Sequence, residues 1–201
     1  VSRSASTIEE GAYHHVQTDI TQEKPVRELF RGIRISHGAV DILINNAGVL
    51  TSQYALLLPA TSVEAMLKTN VFGTFLVSRE CAKLMIQKKF GRIINMSSMA
   101  VPLAPAGDSI YSASKSALNQ FSQVFAKEVA DFNITCNVLG LTAIETKMMN
   151  KIPKEKLDAI FANLPIKRQA TLADISNAID FFARKESSSI TGQILYLGGV
   201  F

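Results

Sequence analysis

Four apolar segments without polar alternation recur along this chain, and they constrain its fold more than any other feature. They are VDILINNAG (40–48), GRIINMSS (91–98), ITCNVLG (134–140) and GQILYLGG (192–199). Strands that are apolar on both sides are typical of a parallel sheet that helices cover on both faces. The segments between them have helical patterns, chiefly 25–38, 62–89, 109–131 and 172–184. The sequence therefore predicts one α/β domain over residues 1–201 with a doubly wound parallel sheet, and a further short strand over 12–17.

The amino-acid composition argues against nucleic acid and membranes as binding partners. The chain has 201 residues, 47% hydrophobic and 19% charged, which suits one domain with a full core. The net charge of +4 is spread along the sequence, so we expect no nucleic-acid partner. No apolar run is long enough to cross a bilayer, and the first residues, VSRSAS, lack the apolar core of a signal peptide. We therefore expect a cytoplasmic protein that does not bind membranes.

The two cysteines favour a reducing compartment, and the three histidines bear on whether the chain has a metal site. Cys81 lies in a helical pattern and Cys136 in a strand pattern, so both are interpreted as small buried apolar residues in a reducing environment. The histidines have no ligand-like spacing with the cysteines, so we expect no metal site.

Polar side chains gather where three predicted strands end. Asp19 follows the first, Asn45-Asn46-Ala47-Gly48 the second, and Ser97-Ser98 the third. A helix that carries Tyr111 and Lys115 begins soon afterwards. Parallel sheets bind their ligands at the carboxyl ends of the strands, so this edge is the predicted site.

Tyr111 and Lys115 are neighbours on one helical face because they are four residues apart. A cation beside a phenol favours the phenolate, which would suit proton transfer. Taken alone, the pair is more simply interpreted as an ordinary structural contact between helical neighbours. Asn70, in the middle of a predicted helix, is a poor helix former, which favours a functional or kink-forming role.

Together these residues resemble the short-chain dehydrogenase/reductase family over essentially the whole chain. The resemblance is carried by Asn45-Asn46-Ala47-Gly48, by Asn70 in LKTNVFGTF, by Ser98, by Tyr111-Ser112-Ala113-Ser114-Lys115 and by ITGQILYLGG (190–199). It implies a Rossmann-like fold and an oxidoreductase that interconverts a carbonyl and a secondary alcohol. In such an enzyme Tyr111 is the acid/base, while Lys115 lowers the pKa of the tyrosine and binds the nicotinamide ribose. Ser98 bonds the substrate carbonyl, and Asn70 holds a water of the proton relay.

The resemblance also assigns cofactor contacts. Asp19 matches the adenine-binding acid with Ile20 beside it, Asn46, Ala47 and Gly48 line the cofactor path, and Ile144 and Thr146 match positions near the nicotinamide carboxamide. Arg3 suits a 2′-phosphate by charge and fork geometry, so NADP is expected, with NAD possible. The family's first strand and glycine-rich turn have no counterpart here, and we expect an N-terminally incomplete version of a longer chain.

Two departures keep another interpretation open. Leu141-Thr142 stands where the family usually has Pro-Gly, and Leu197-Gly198-Gly199 replaces Asp-Gly-Gly. The alternative is a reductase-like scaffold that binds a dinucleotide or a protein partner without turnover. Within the family the general resemblance is to 3-oxoacyl-carrier-protein reductase-like members, and a secondary-metabolite or sugar ketoreductase is also open. The resemblance implies a homodimer or homotetramer through helices 62–89 and 109–131, and residues 147–165 are interpreted as a substrate lid.

Overall fold

The computed structural model describes residues 1–6, 8, 11–142, 162 and 164–200. The strands are β1 (Ile42–Asn45), β2 (Gly91–Ser98), β3 (Ile134–Leu141) and β4 (Ile194–Tyr196). The α-helices are α1 (Glu23–His37), α2 (Ala60–Leu67), α3 (Thr74–Lys88), α4 (Ala100–Leu103), α5 (Ser109–Val129) and α6 (Leu172–Ala183). Short 3₁₀ turns cover Ala55–Leu57, Ala130–Phe132 and Lys185–Ser189. The predicted lid at 147–165 lies almost wholly outside the described residues, as do Ile144 and Thr146.

The described strands form one parallel sheet of four strands in the order β1-β2-β3-β4. β2 and β3 pair along their full length, from Gly91 opposite Ile134 to Ser98 opposite Leu141. Because the strands are parallel, their carboxyl ends share one edge of the sheet. The predicted α/β architecture of a doubly wound, Rossmann-like type is confirmed.

Adjacent residues of β2 point into different cores. Ile93 packs with Cys136 and with side chains of α1, α3 and α5, including Val26, Cys81 and Ala126. Its neighbour Ile94 packs with Met96, Leu139 and the α6 residues Ile175 and Phe182. Helices therefore cover both faces of the sheet, which explains why β2 and β3 are apolar throughout.

Two predicted elements differ from the structure. The predicted helix 62–89 is interrupted by a π-helix at Lys68–Gly73, which separates α2 from α3. Residues 12–17 form no strand, and only Gln17 makes a parallel bridge, with Ser2. Most side chains of 12–17 are exposed, so the segment lacks the buried face that stabilises a strand. None of the described helices combines the length and hydropathy needed to cross a membrane.

Candidate active site

The candidate active site lies at the carboxyl ends of β1 and β2, beside the first turns of α5. β1 ends at Asn45, and the exposed backbone of Asn46, Ala47 and Gly48 continues from it. β2 ends at Ser98, and α5 begins at Ser109. Three chain segments that are distant in sequence therefore meet at one edge of the sheet.

Tyr111 and Ser98 interact at the ends of α5 and β2. Burial raises the pKa of the Tyr111 phenol, a hydrogen bond with the Ser98 side chain opposes that shift, and the Asp108 carboxylate adds to the rise. The Ser98 hydroxyl oxygen also accepts a hydrogen bond from the Ala100 backbone N–H at 3.1 Å. The phenol is therefore held in its protonated form at neutral pH.

Lys115 lies one turn beyond Tyr111 and is 5% exposed. Its Nζ donates a 2.8 Å hydrogen bond to the Met96 carbonyl and lies 5.9 Å from the centroid of the Tyr111 ring. Burial lowers the pKa of Lys115 to about 8. The expected neighbour contact is present, but in this site burial, and not the lysine charge, sets the direction of the tyrosine pKa.

Asn70 is fully buried within the π-helix, and its amide joins two other segments. Its Oδ1 accepts from the Val49 N–H at 2.8 Å, while its Nδ2 donates to the Val49 carbonyl at 2.9 Å and to Ser114 Oγ at 3.0 Å. Ser114 Oγ in turn donates to the Tyr111 carbonyl at 2.7 Å. The amide thereby fixes the chain after Gly48 against the first turn of α5.

Ser114, which bonds both Asn70 and the Tyr111 carbonyl, is not among the residues that the sequence predicts for the site. The only sequence signal was a small hydroxyl residue three positions after Tyr111, on the buried side of α5. The Thr74 hydroxyl was missed as well. It donates a 3.0 Å hydrogen bond to the Asn70 carbonyl, which caps a backbone acceptor inside the π-helix.

Gly48, after the end of β1, lies beside both Asn70 of the π-helix and Lys115 of α5. A Cβ added to it would lie 3.4 Å from both Asn70 Oδ1 and Lys115 Nζ. A side chain here would therefore fill the space in front of the lysine. The absence of one leaves a cradle between the exposed residue Gly48 and the buried ammonium of Lys115.

Asp19, Ile20 and Arg3 are the residues predicted to bind the adenosine end of the cofactor. Asp19 Oδ1 accepts from the Thr21 N–H at 2.9 Å and from the Thr21 hydroxyl at 2.8 Å, and these bonds lower the pKa of the carboxyl. Ile20 packs in the core, since a Cβ on Gly73 would lie 2.9 Å from it. Arg3 is exposed, and its charge also acts on Asp19. Arg3 and Asp19 are therefore close enough to interact electrostatically.

A buried hydrogen-bond network beneath the site holds the end of β1 in place. Asn45 Nδ2 donates to Ser78 Oγ at 2.9 Å and to Asn95 Oδ1 at 2.7 Å. Asn95 Nδ2 continues to Ser122 Oγ at 2.8 Å, so the network joins β1, β2, α3 and α5. Asn95 is not among the residues predicted for the site, although a polar residue inside the apolar run of β2 is a signal that the sequence carries.

Comparison with known proteins gives consistent matches. A family profile described as enoyl-(acyl carrier protein) reductase matches residues 1–199. The 3-oxoacyl-(acyl-carrier-protein) reductase of Salmonella typhimurium is 32% identical over 181 residues, which are 90% of this chain and 74% of that protein. The reductase of the same description from Aquifex aeolicus is 31% identical over 186 residues, covering 92% and 75% of the two chains.

A solved structure matches as well. The crystal structure of a putative gluconate dehydrogenase from Agrobacterium tumefaciens superimposes with a TM-score of 0.88 at 28% sequence identity. The match covers 92% of this chain and 74% of that one.

Proposed function

Because the chain belongs to the short-chain dehydrogenase/reductase family, a family of nicotinamide-dependent oxidoreductases, we propose that it is an NADP-dependent enzyme that interconverts a carbonyl and a secondary alcohol. Tyr111 is its general acid/base. The observation that carries this proposal is that Asn70 and Lys115 both lie beside Gly48, while Tyr111, one turn from Lys115, interacts with Ser98.

A nicotinamide held beside Lys115 and Gly48 would supply the hydride for reduction of the carbonyl carbon. The Ser98 hydroxyl orients the substrate oxygen and stabilises its developing negative charge. The Tyr111 hydroxyl transfers its proton to that oxygen, which completes the alcohol and leaves a phenolate. A protonated phenol at neutral pH suits this role, and burial of Tyr111 favours that state.

Lys115 and Asn70 serve the tyrosine and the cofactor. The Lys115 ammonium uses one N–H for the Met96 carbonyl, and its remaining N–H groups are available for the ribose hydroxyls at Gly48. A proton that reaches the phenolate from solvent restores Tyr111 for the next turnover. Asn70 supports this relay from the π-helix by holding Val49 and Ser114 in register.

Replacing Tyr111 with Phe tests the proton donor. We expect the kcat for NADPH-dependent ketone reduction to fall at least about a thousandfold, because the oxygen loses its acid while the packing of the ring is kept. NADPH affinity, followed by nicotinamide fluorescence, should change little. Tyr13→Phe, which removes an exposed phenol, is the matched control. Unchanged activity in Tyr111→Phe would overturn the proposal.

Arg3 is the proposed determinant for NADP. A guanidinium that binds a 2′-phosphate contributes a charge-assisted hydrogen bond, so Arg3→Ala should raise the KM for NADPH by roughly ten- to a hundredfold. The KM for NADH should stay within about twofold, because NADH lacks the phosphate. Steady-state kinetics with both cofactors measure this, and an equal change in the two KM values would assign Arg3 no role in selectivity.

A scaffold that binds a dinucleotide without turnover is the second candidate. It is favoured by Leu141-Thr142, which stands where the family usually has Pro-Gly. Tight NADPH binding without oxidation of the cofactor by any ketone or 3-oxoacyl thioester in a panel would favour this alternative. Any oxidation of NADPH that depends on both a carbonyl compound and Tyr111 would reject it.

The proposal also covers the class of substrate, the oligomeric state and the cellular compartment. Relatives named 3-oxoacyl-(acyl-carrier-protein) reductases support an acyl thioester, while the structural match to a putative gluconate dehydrogenase supports a hydroxylated compound. We propose a cytoplasmic homodimer or homotetramer that associates through α2–α3 and α5. A row of partly exposed aromatic side chains across these helices supports that interface.

A further inference from the structure

A groove between α1 and α3 is separate from the candidate active site. It has a volume of about 850 Å³ and is lined by side chains of both helices. Two apolar residues, Phe30 and Leu84, line it and are buried, and every other lining residue is polar or charged. The described residues around the groove include none of those proposed to hold the cofactor or to transfer the proton. A ligand bound here would therefore occupy a second site.

Three arginines line this groove along one face of α1. Arg27, Arg31 and Arg34 are four and three residues apart, so they follow one another on the same side of the helix. All three are exposed, and none forms an ion pair within the described part of the chain. Like charges at these spacings destabilise a helix. The helix dipole offsets this cost for Arg34 in the last turn, but Arg27 lies in the N-terminal half, where the dipole disfavours a cation.

Two acidic side chains of the groove are engaged by cations of α3 instead of by these arginines. Arg79 donates a 2.6 Å hydrogen bond to Glu23 Oε1 and a 2.8 Å hydrogen bond to Glu80 Oε1. Lys83 Nζ donates to the same Glu80 oxygen at 2.7 Å. Glu28 is the remaining acidic residue of the lining. Positive charge is therefore in excess along the α1 side of the groove.

We propose that this groove binds an anion with several linked phosphate groups, held by Arg27, Arg31 and Arg34. A guanidinium presents a planar fork of donors that matches the oxygens of a phosphate. An α-helix rises about 1.5 Å per residue, so the arginine row from Arg27 to Arg34 spans roughly 10 Å. A short phosphate chain concentrates several negative charges within that length, whereas each carboxylate brings one. This binding site goes beyond the proposed function and does not depend on it.

Inorganic tripolyphosphate tests the site by isothermal titration calorimetry at low salt, where exposed charges are least screened. Arg27→Gln combined with Arg31→Gln should raise the Kd at least about thirtyfold, because each exposed guanidinium contributes roughly five- to tenfold. Lys127→Gln combined with Lys185→Gln removes the same charge at exposed positions outside the groove. This matched control should change the Kd less than about twofold. Circular dichroism verifies that each variant is folded.

Two further measurements identify the place and the chemistry of binding. Arg3→Ala, at the proposed cofactor site, should keep the Kd for tripolyphosphate within about twofold. Tetraglutamate with blocked ends, which carries its charge on carboxylates, should bind at least about tenfold more weakly than tripolyphosphate. A loss of binding in Arg3→Ala, or equal losses in the two double variants, would overturn the site. Comparable affinity for tetraglutamate would reject the phosphate assignment in favour of an acidic protein segment. Absence of binding to the native protein would overturn the proposal and leave the proposed function intact.

Discussion

Lys115 holds an ammonium in the interior, where its Nζ donates to the Met96 carbonyl, and this burial makes stability depend on pH. Its folded pKa of about 8 lies below the ordinary value of 10.5, so the unfolded chain binds the proton more tightly. Between about pH 8 and 10 the unfolded chain keeps a proton that the folded chain has released. The free energy of unfolding should therefore rise across this window, by roughly 2 kcal/mol at most.

Lys115→Met should remove that rise and stabilise the cofactor-free protein at pH 7, because no charge then has to be buried. Urea unfolding at pH 7, 8, 9 and 10 measures both effects. Lys127→Met, at an exposed position of the same helix, is the control and should keep the rise. A parallel pH dependence in Lys115→Met and native protein would show that another group is responsible.

Arg92 is 1% exposed, and its hydrogen-bond acceptors among the described residues are carbonyl oxygens. Its guanidinium donates to the carbonyls of Gly91 at 2.8 Å, Arg184 at 3.2 Å and Lys185 at 3.3 Å, which anchors the end of α6 to β2. Arg92→Ala should lower the free energy of unfolding by about 3 kcal/mol, since it removes three hydrogen bonds made by a buried charged group. Arg92→Lys should restore less than half, because one ammonium cannot replace a planar fork. Full recovery with lysine would contradict this explanation.

At the scale of elements, the strands β3 and β4 pack closely where Gly140 faces the ring of Tyr196. Gly140 pairs with Tyr196, and a Cβ on Gly140 would overlap that ring. The Tyr196 hydroxyl accepts a 2.8 Å hydrogen bond from Asn119 Nδ2 of α5, so the ring cannot move away freely. Gly140→Ala should therefore cost about 3 kcal/mol of stability by overpacking.

A double-mutant cycle isolates this contact. Tyr196→Ala leaves room for the new methyl group, so Gly140→Ala should cost less than about 1 kcal/mol in that background. Chemical unfolding of the four proteins gives the coupling energy. Additive effects would indicate that the alanine acts on the backbone of β3 and not on the ring.

The elements also show what the sequence could predict. The bounds of β2 matched the prediction and β3 differed by one residue, because strands buried on both faces appear as continuous apolar runs. The pattern predicted an uninterrupted helix and not the π-helix, where Asn70 bonds Val49 and Ser114, which are distant in sequence. The Met96 carbonyl was not predicted as the partner of Lys115 either, because the two residues are 19 positions apart in the sequence. Patterns along a chain report burial, whereas contacts across the fold decide which polar groups pair.

At the scale of the whole molecule, an aromatic row links the π-helix, α3 and α5. The ring centroids of Phe72 and Phe75 are 6.4 Å apart, those of Phe75 and Phe121 are 6.2 Å apart, and those of Phe121 and Phe125 are 5.2 Å apart. Phe72 is 43% exposed, and Val124 beside the row is 44% exposed. Contiguous exposed apolar side chains of this kind mark interaction surfaces, which supports the proposed assembly between copies of this chain.

Phe75→Glu combined with Val124→Glu should convert the proposed dimer or tetramer to a monomer. Each new carboxylate would lose its water against the aromatic row of a second copy, which costs free energy of association. Because a symmetric interface contains the same residues from both copies, this cost occurs twice. Sedimentation velocity at tens of micromolar protein measures the change. Ile35→Glu, at a strongly exposed position on α1, is the control and should leave the assembly intact. A native protein that sediments as a monomer, or a double variant that assembles as before, would show that this aromatic row has another role.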